Sequence, residues 1–232
     1  MKKGKALETE VAEHKQEEIA FFGKITAAAT HEMKNVLAII KETAGLMEDL
    51  VILSPEMPAS LREKCQSTLS VIQNQIKRGV DISDHLNWFA HCTDVPTASM
   101  DLSTTAAQMI HLAQRFARLK GVVLEVEPSE ASITVQVRPV FLLMTLFTCI
   151  RCCLNALSPG SRIVLAPEEF DTGSAFSFLL KEKDARPDAL FSALSADAAW
   201  SDLQQMAAAL EGAVQWVPDG PCIRLQLPEP LA

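Results

Sequence analysis

The segment Thr30-His31-Glu32-Met33-Lys34-Asn35 puts an imidazole, a carboxylate, an ammonium and an amide within six residues. It lies in a long stretch with helical periodicity. On a helix advancing about 100° per residue, Phe22, Ile25, Ala29, Met33, Val36, Ile40, Met47 and Leu50 fall within roughly 80° of one another. His31 then falls about 180° from Phe22, on the polar face, with Asn35 one turn further along it. Histidine as a residue type is largely unprotonated at neutral pH. A solvent-facing imidazole is therefore a nucleophile able to take up a group and pass it on.

The elements that must hold this histidine are long. The pattern predicts a first helix over residues 7–53, roughly 70 Å at 1.5 Å per residue, longer than a helix inside a compact domain. Ser54-Pro55-Glu56-Met57-Pro58 stops it with two breakers. A second helix follows over 59–91, with a seam of Leu61, Cys65, Leu69, Ile72, Ile76, Val80 and Leu86 or Asn87. Two long helices joined by a short turn make an antiparallel hairpin. One hairpin leaves its apolar stripe half covered, so the reading is a homodimer closing a four-helix bundle. Residues 93–99 read as a linker. Beyond it come a helix over 101–119 stopped by Gly121, strands at 122–126 and 133–137, and a helix over 140–157. Strands at 163–166 and 175–180, a helix over 202–210, and a hairpin of 214–217 with 222–227 around Pro218-Asp219-Gly220 complete the pattern. The fold class is α+β: a helical hairpin over 1–93, then an α/β sandwich over 100–232.

Bulk composition narrows the function classes. The net charge is -8, from 21 basic and 29 acidic residues, so the basic excess of a nucleic-acid binder is missing. The apolar run from Val140 to Ile150 reads as too short to span a bilayer, and nothing reads as a signal peptide; a cytoplasmic protein without membrane insertion is expected. Six scattered cysteines fit reduced thiols. Cys149 with Cys152 forms a lone C-x-x-C inside an apolar helix, so no metal is expected.

His31-Glu32-Met33-Lys34-Asn35, on the first helix of a hairpin, resembles the H-box of bacterial sensor histidine kinases. Asp101-Leu102 with the helix after it, Lys120-Gly121-Val122-Val123-Leu124, the helix from Leu142 to Leu157 and the closing hairpin resemble the ATP-binding domain of the same family. The departures are informative. The family carries two polar residues four apart on the fourth helix, facing nucleotide and magnesium; here Asn155 fits the second place and Arg151 stands in the first. Its Asp-x-Gly-x-Gly loop corresponds to Asp184-Ala185-Arg186-Pro187-Asp188, with the aspartate and neither glycine. No glycine follows between Asp188 and Asp202, so the amides that cradle phosphates are missing. Asn155 and Asp184 are the cofactor-site candidates of a degenerate site.

The resemblance therefore implies a kinase-derived histidine phosphotransferase, a homodimer passing phosphate between response-regulator receiver domains, which the second domain helps to dock. No cofactor is expected to bind stably. ATP is not expected to bind, and the regulator supplies Mg2+. The catalytic candidates are His31 as nucleophile, Glu32 orienting the ring or acting as base, and Asn35 positioning a water for regulator dephosphorylation. Lys34 is placed to steer an acidic partner. Two alternatives stand beside this: an ATP-dependent sensor histidine kinase with an unusual nucleotide site, and a non-catalytic pseudokinase scaffold.

Overall fold

Small side chains at regular spacing let the two long helices approach closely. In the computed structural model, α1 runs Lys2–Ile52 and α2 runs Ala59–His91. The structure describes residues 2–128, 132–170, 173–183, 186–218 and 220–227, with backbone alone at 2–21, 24, 25, 28 and 29. The turn between the helices is closed by Arg62 Nη2, which donates to Ser54 O at 2.7 Å, while Ser54 Oγ donates back to Leu50 O at 2.7 Å. Pro58 caps the start of α2, where a missing N–H costs nothing.

The face of α1 turned to α2 is Gly23, Ala27, Thr30, Lys34, Leu37, Ala44, Glu48 and Val51, all buried or half-buried. Steps of three and four along it make a heptad seam. It meets Leu69, Ile76, Ser83 and Ala90 of α2, buried at seven-residue intervals. Far from His31 the seam is apolar, with Ala44, Val51 and Leu69 packed against Met57, Cys65 and Ile72. Near His31 it is narrow. A Cβ on Gly23 would collide with Thr93 Oγ1, and one on Gly79 would come within 3.0 Å of Leu37 Cδ1.

This seam is not the apolar stripe read from the sequence. Phe22, Met33, Val36, Ile40, Met47 and Leu50 are exposed in the single chain, Ile40 at 43 % and Leu50 at 60 %. The stripe lies one residue, about 100°, back from the seam. Small and polar residues contact α2, and the large apolar ones face away from it. Leu61, in the expected α2 seam, is also exposed.

Residues 95–232 form a second unit, described by itself. Its elements are β1 (Ala98–Asp101), α3 (Leu102–Lys120), β2 (Val123–Val126), β3 (Thr134–Val137), α4 (Pro139–Ala156), β4 (Arg162–Phe170), β5 (Gly173–Lys181), α5 (Pro187–Ala196), α6 (Ala198–Ala209), β6 (Ala213–Val217) and β7 (Cys222–Leu227). Five strands form one sheet in the order β2-β4-β5-β7-β6, and β1 pairs with β3. Only β2 with β4 is parallel among these pairings. The central strands are buried on both faces, with Phe176, Ser177 and Phe178 of β5 fully enclosed. Helices α3 and α4 are joined by Phe116 and Phe147, edge to face with centroids 5.1 Å apart.

Each boundary has a local cause. Asp101 caps α3 by accepting from Thr104 N at 2.7 Å, and it also accepts from Ser132 Oγ at 3.0 Å. Gly121 ends the helix in the left-handed region at φ 66°, letting Val122 N donate to Ala117 O at 3.0 Å. Asp197 caps α6 by accepting from Ala199 N at 2.9 Å, so that helix starts earlier than Asp202. The 18-residue α4 is long and apolar enough, by length and composition, to cross a membrane, a correction to the shorter run read from the sequence. Here Leu142, Leu143, Leu146, Cys149, Ile150 and Cys153 are buried within the unit. Strand β1 and helix α5 are additions to the expected pattern.

The cap makes a stability prediction. Thr104's amide, first among several hydrogen bonds, holds the Asp101 carboxyl below its usual 3.8. A carboxyl lowered on folding stabilises above the unfolded value and loses that effect as pH falls through the folded one. Asp101→Ala should cost about 1 kcal/mol at neutral pH. In denaturant titrations the difference from the parent should shrink once pH drops below the usual carboxylate range.

Candidate functional site: an exposed histidine and a self-satisfied cleft

Taking the seam position of Thr30 and Lys34 as reference, His31 and Asn35 lie about 80–120° to one side of it, and Met33, Val36 and Ile40 about 80–140° to the other. The structure leaves His31, Glu32 and Asn35 exposed. Asn35 sits one turn beyond His31 on the same flank, within side-chain reach of it. Glu32 is the next residue round, about 100° away, and such neighbours do not face each other on a helix. Among the described residues no hydrogen bond joins Glu32 to His31.

The residues next to His31 are fixed from across the seam. Thr30 is fully buried; its Oγ1 lies 2.9 Å from Ala27 O and 3.3 Å from Asn87 Oδ1. Lys34 Nζ pairs with the Asp84 carboxylate of α2. Lys34 is thus an inter-helix bridge and not the free steering charge read from the sequence. Ser83, buried at the same level, donates back to Gly79 O at 2.9 Å. Sequence reading missed Thr30, Asp84 and Ser83. The separation of 50 residues between Lys34 and Asp84 hides their pairing in a linear chain.

On the second unit, the resemblance implies a nucleotide and its magnesium facing the part of α4 that carries Arg151 and Asn155. Asn155 is exposed, and its Nδ2 donates to Asp197 Oδ2 at 2.9 Å. The other oxygen of Asp197 takes the Ala199 amide at the start of α6. Asn155's amide, then Ala199's, with the nearby Arg151 charge also helping, hold the Asp197 carboxyl below its usual range. The Asn155 amide and the α6 N-terminus are both engaged with this internal carboxylate. Helix α5 packs beside them through buried Leu190 and Leu194. Its Phe191 stacks on Trp216 at 5.7 Å and meets Trp200 edge-on at 6.2 Å. Asn155, which the resemblance assigns to the nucleotide side of α4, is thus hydrogen-bonded within the chain. Asp197 was not among the sequence candidates; its signal was an aspartate just before Ala198-Ala199-Trp200, a helix-start pattern. Asp184 lies outside the described residues.

The three thiols of α4 are buried. Burial pushes Cys152 up to about 11 and raises Cys149 and Cys153 well above the usual thiol range. Such groups stay protonated and unreactive. Among the described residues no group of three or more His, Cys, Asp or Glu is arranged to hold a metal ion.

Neither a protein-family profile nor a curated protein matches the sequence. Solved structures of histidine kinases do match it. The catalytic domain of the histidine kinase ThkA is similar at TM-score 0.48 and 12 % identity, over 60 % of this chain and 100 % of that one. The Acinetobacter baumannii histidine kinase AdeS is similar at TM-score 0.43 and 13 % identity, over 83 % of this chain and 96 % of that one. A histidine kinase from Burkholderia phymatum is similar at TM-score 0.44 and 15 % identity, over 86 % and 98 %. These are distant likenesses in the arrangement of elements, and the functional argument rests on the residues.

The Asn155–Asp197 contact should be measurable. A double-mutant cycle with Asn155→Ala and Asp197→Ala should give a coupling of about 0.5–1 kcal/mol in unfolding free energy. Additive losses would show that the two side chains do not interact in solution.

Proposed function

We propose that this chain is a histidine phosphotransferase of two-component signalling, working in the cytoplasm as a homodimer and exchanging phosphate with receiver domains through His31. The observation that carries this is the exposure of His31 on the flank of the hairpin opposite its bare apolar stripe. The stripe can be covered by a second copy while the imidazole stays open to a docking protein. The engagement of Asn155 with Asp197 supports a donor outside this chain.

In this reading one imidazole nitrogen attacks the phosphorus of a receiver's aspartyl phosphate. A nitrogen–phosphorus bond forms, the phosphorus–oxygen bond breaks, and the aspartate leaves as carboxylate. The proton on the other ring nitrogen passes to water or to Glu32 after rotation of its side chain. The mixed anhydride is already high in energy, so the task is positioning and charge handling. Mg2+ held by the receiver neutralises the moving phosphoryl group. In a separate hydrolytic reaction Asn35, one turn on, holds a water that attacks the receiver's aspartyl phosphate, releasing inorganic phosphate and the free aspartate carboxylate.

Dimerisation uses the exposed stripe. Met33, Val36, Ile40 and Met47 of α1 share a flank with Val71 and Ile82 of α2, all exposed in the single chain. Leaving such a face bare is unfavourable by about 25 cal/mol per Å2 of apolar surface. A second hairpin laid on it completes a four-helix bundle.

Two measurements test the proposal. Mixing the protein with a receiver domain carrying labelled aspartyl phosphate and Mg2+ should move acid-labile label to His31, and His31→Gln should abolish the transfer. Retention of label by every receiver tried, over times in which phosphoramidate loads His31, overturns the reading. Light scattering should report a dimer for the parent and a monomer for Val36→Glu combined with Ile40→Glu. A monomeric parent contradicts the bundle.

A further inference from the structure

The seam between the helices changes character along its length. Its far half packs side chains of ordinary size, Val51, Leu69, Met57, Cys65 and Ile72 among them. At the level of His31 it consists of Gly23, Ala27, Thr30 and Lys34 facing Ser83, Asn87 and Ala90, and its nearest large side chain is Leu37, seated against Gly79. Small residues bring the backbones together but offer few knobs to fix how α1 is rotated about its own axis. Two polar ties cross at this level: Thr30 to Asn87 at 3.3 Å, and Lys34 to Asp84. Thr30 has one hydroxyl hydrogen, and Ala27 O at 2.9 Å is the nearer acceptor. The Asn87 contact is then best met with the amide NH2 turned towards Thr30 Oγ1, an orientation that hydrogen-bond logic decides. A buried polar residue in a helical seam, here Thr30, costs stability and returns a defined register, while the Lys34–Asp84 pair lies at the exposed edge of the seam.

We infer that Thr30 and Lys34, tied to Asn87 and Asp84, form a polar clamp that sets the rotation of α1 and hence the direction in which His31 projects. The four are positioning residues; none is a reacting group. The inference rests on the phosphotransfer reading only for its kinetic consequence. The geometric reason is simple. A slip of one residue in the seam turns the helix by about 100° and carries the imidazole from the open flank towards the back of the hairpin. A displacement of the order of 1 Å already lowers a positioned transfer by up to about 100-fold. His31 is the neighbour of one clamp residue and lies three positions before the other, so it follows their placement directly.

The test separates positioning from folding. Thr30→Val and Asn87→Leu keep volume and remove the polar tie. Both should retain helix content, melting temperature and dimer mass. The maximal rate of transfer from a labelled receiver should fall by about tenfold or more, with the half-saturating receiver concentration unchanged. Thr30→Ser should transfer at the parental rate. Lys34→Glu and Asp84→Lys should each slow transfer, and the two combined should restore it. A second readout needs no receiver. With Cys65 and Cys92 replaced by alanine, spin labels at Glu42→Cys and Lys77→Cys in one protomer, diluted with unlabelled chains, report the α1–α2 geometry. The distance distribution should be narrow in the parent and broad when Thr30→Val and Asn87→Leu are combined. A narrow, parental distribution in that variant overturns the clamp. Parental transfer rates in all the single variants overturn it as well. If the parent trades phosphate with no receiver, the phosphotransfer reading fails, and the spin-label distances alone decide the clamp.

Discussion

Close approach of two helices through small residues is the constraint on which the hairpin depends. Gly23 tolerates no side chain against Thr93, and Gly79 has little room beside Leu37. Once the backbones are that near, a large apolar residue stands between them near His31 only where glycine makes room for it, as Gly79 does for Leu37. Thr30 and Lys34 occupy the inside, and Met33, Val36 and Ile40 are displaced to the flank. The same displacement puts His31 and Asn35 on the opposite flank. One packing decision thus yields three faces on a single helix: a seam, an exposed apolar stripe and an open surface carrying an imidazole.

The second unit resolves a different conflict. An amide beside a helix N-terminus favours an anion. Asp197 supplies that charge from within the chain, capping α6 and taking the Asn155 amide in the same gesture. Helix α5 is held beside them by the Phe191, Trp200 and Trp216 rings. The unit obtains from its own side chains the order that a bound nucleotide could otherwise impose. That arrangement supports the proposal that phosphate comes from a receiver domain.

Legibility in the sequence followed the range of the interactions. Helix α2 was readable to its ends because Pro55 and Pro58 break the chain locally, and the β6–β7 hairpin because Pro218-Asp219-Gly220 is a turn by composition. The outward direction of His31 was readable from helical period alone. Strand β1 was not, since its partner β3 is more than thirty residues away and four residues carry little pattern. Helix α5 carried a proline at its first turn and Leu190 with Leu194 one turn apart, a signal masked by the expectation of a loop. The apolar stripe was recognised, but periodicity states that a face wants cover and not which helix covers it. Lys34 was misread for the same reason: its partner Asp84 is local only after folding.

The central claim is that His31 is open to phosphate yet depends on another protein to receive it. Incubating the purified protein with γ-labelled ATP and Mg2+, with every receiver withheld, tests this most directly. The account predicts that His31 stays unlabelled over times far longer than receiver-driven loading takes. Acid-labile label accumulating on His31 from ATP alone would contradict it.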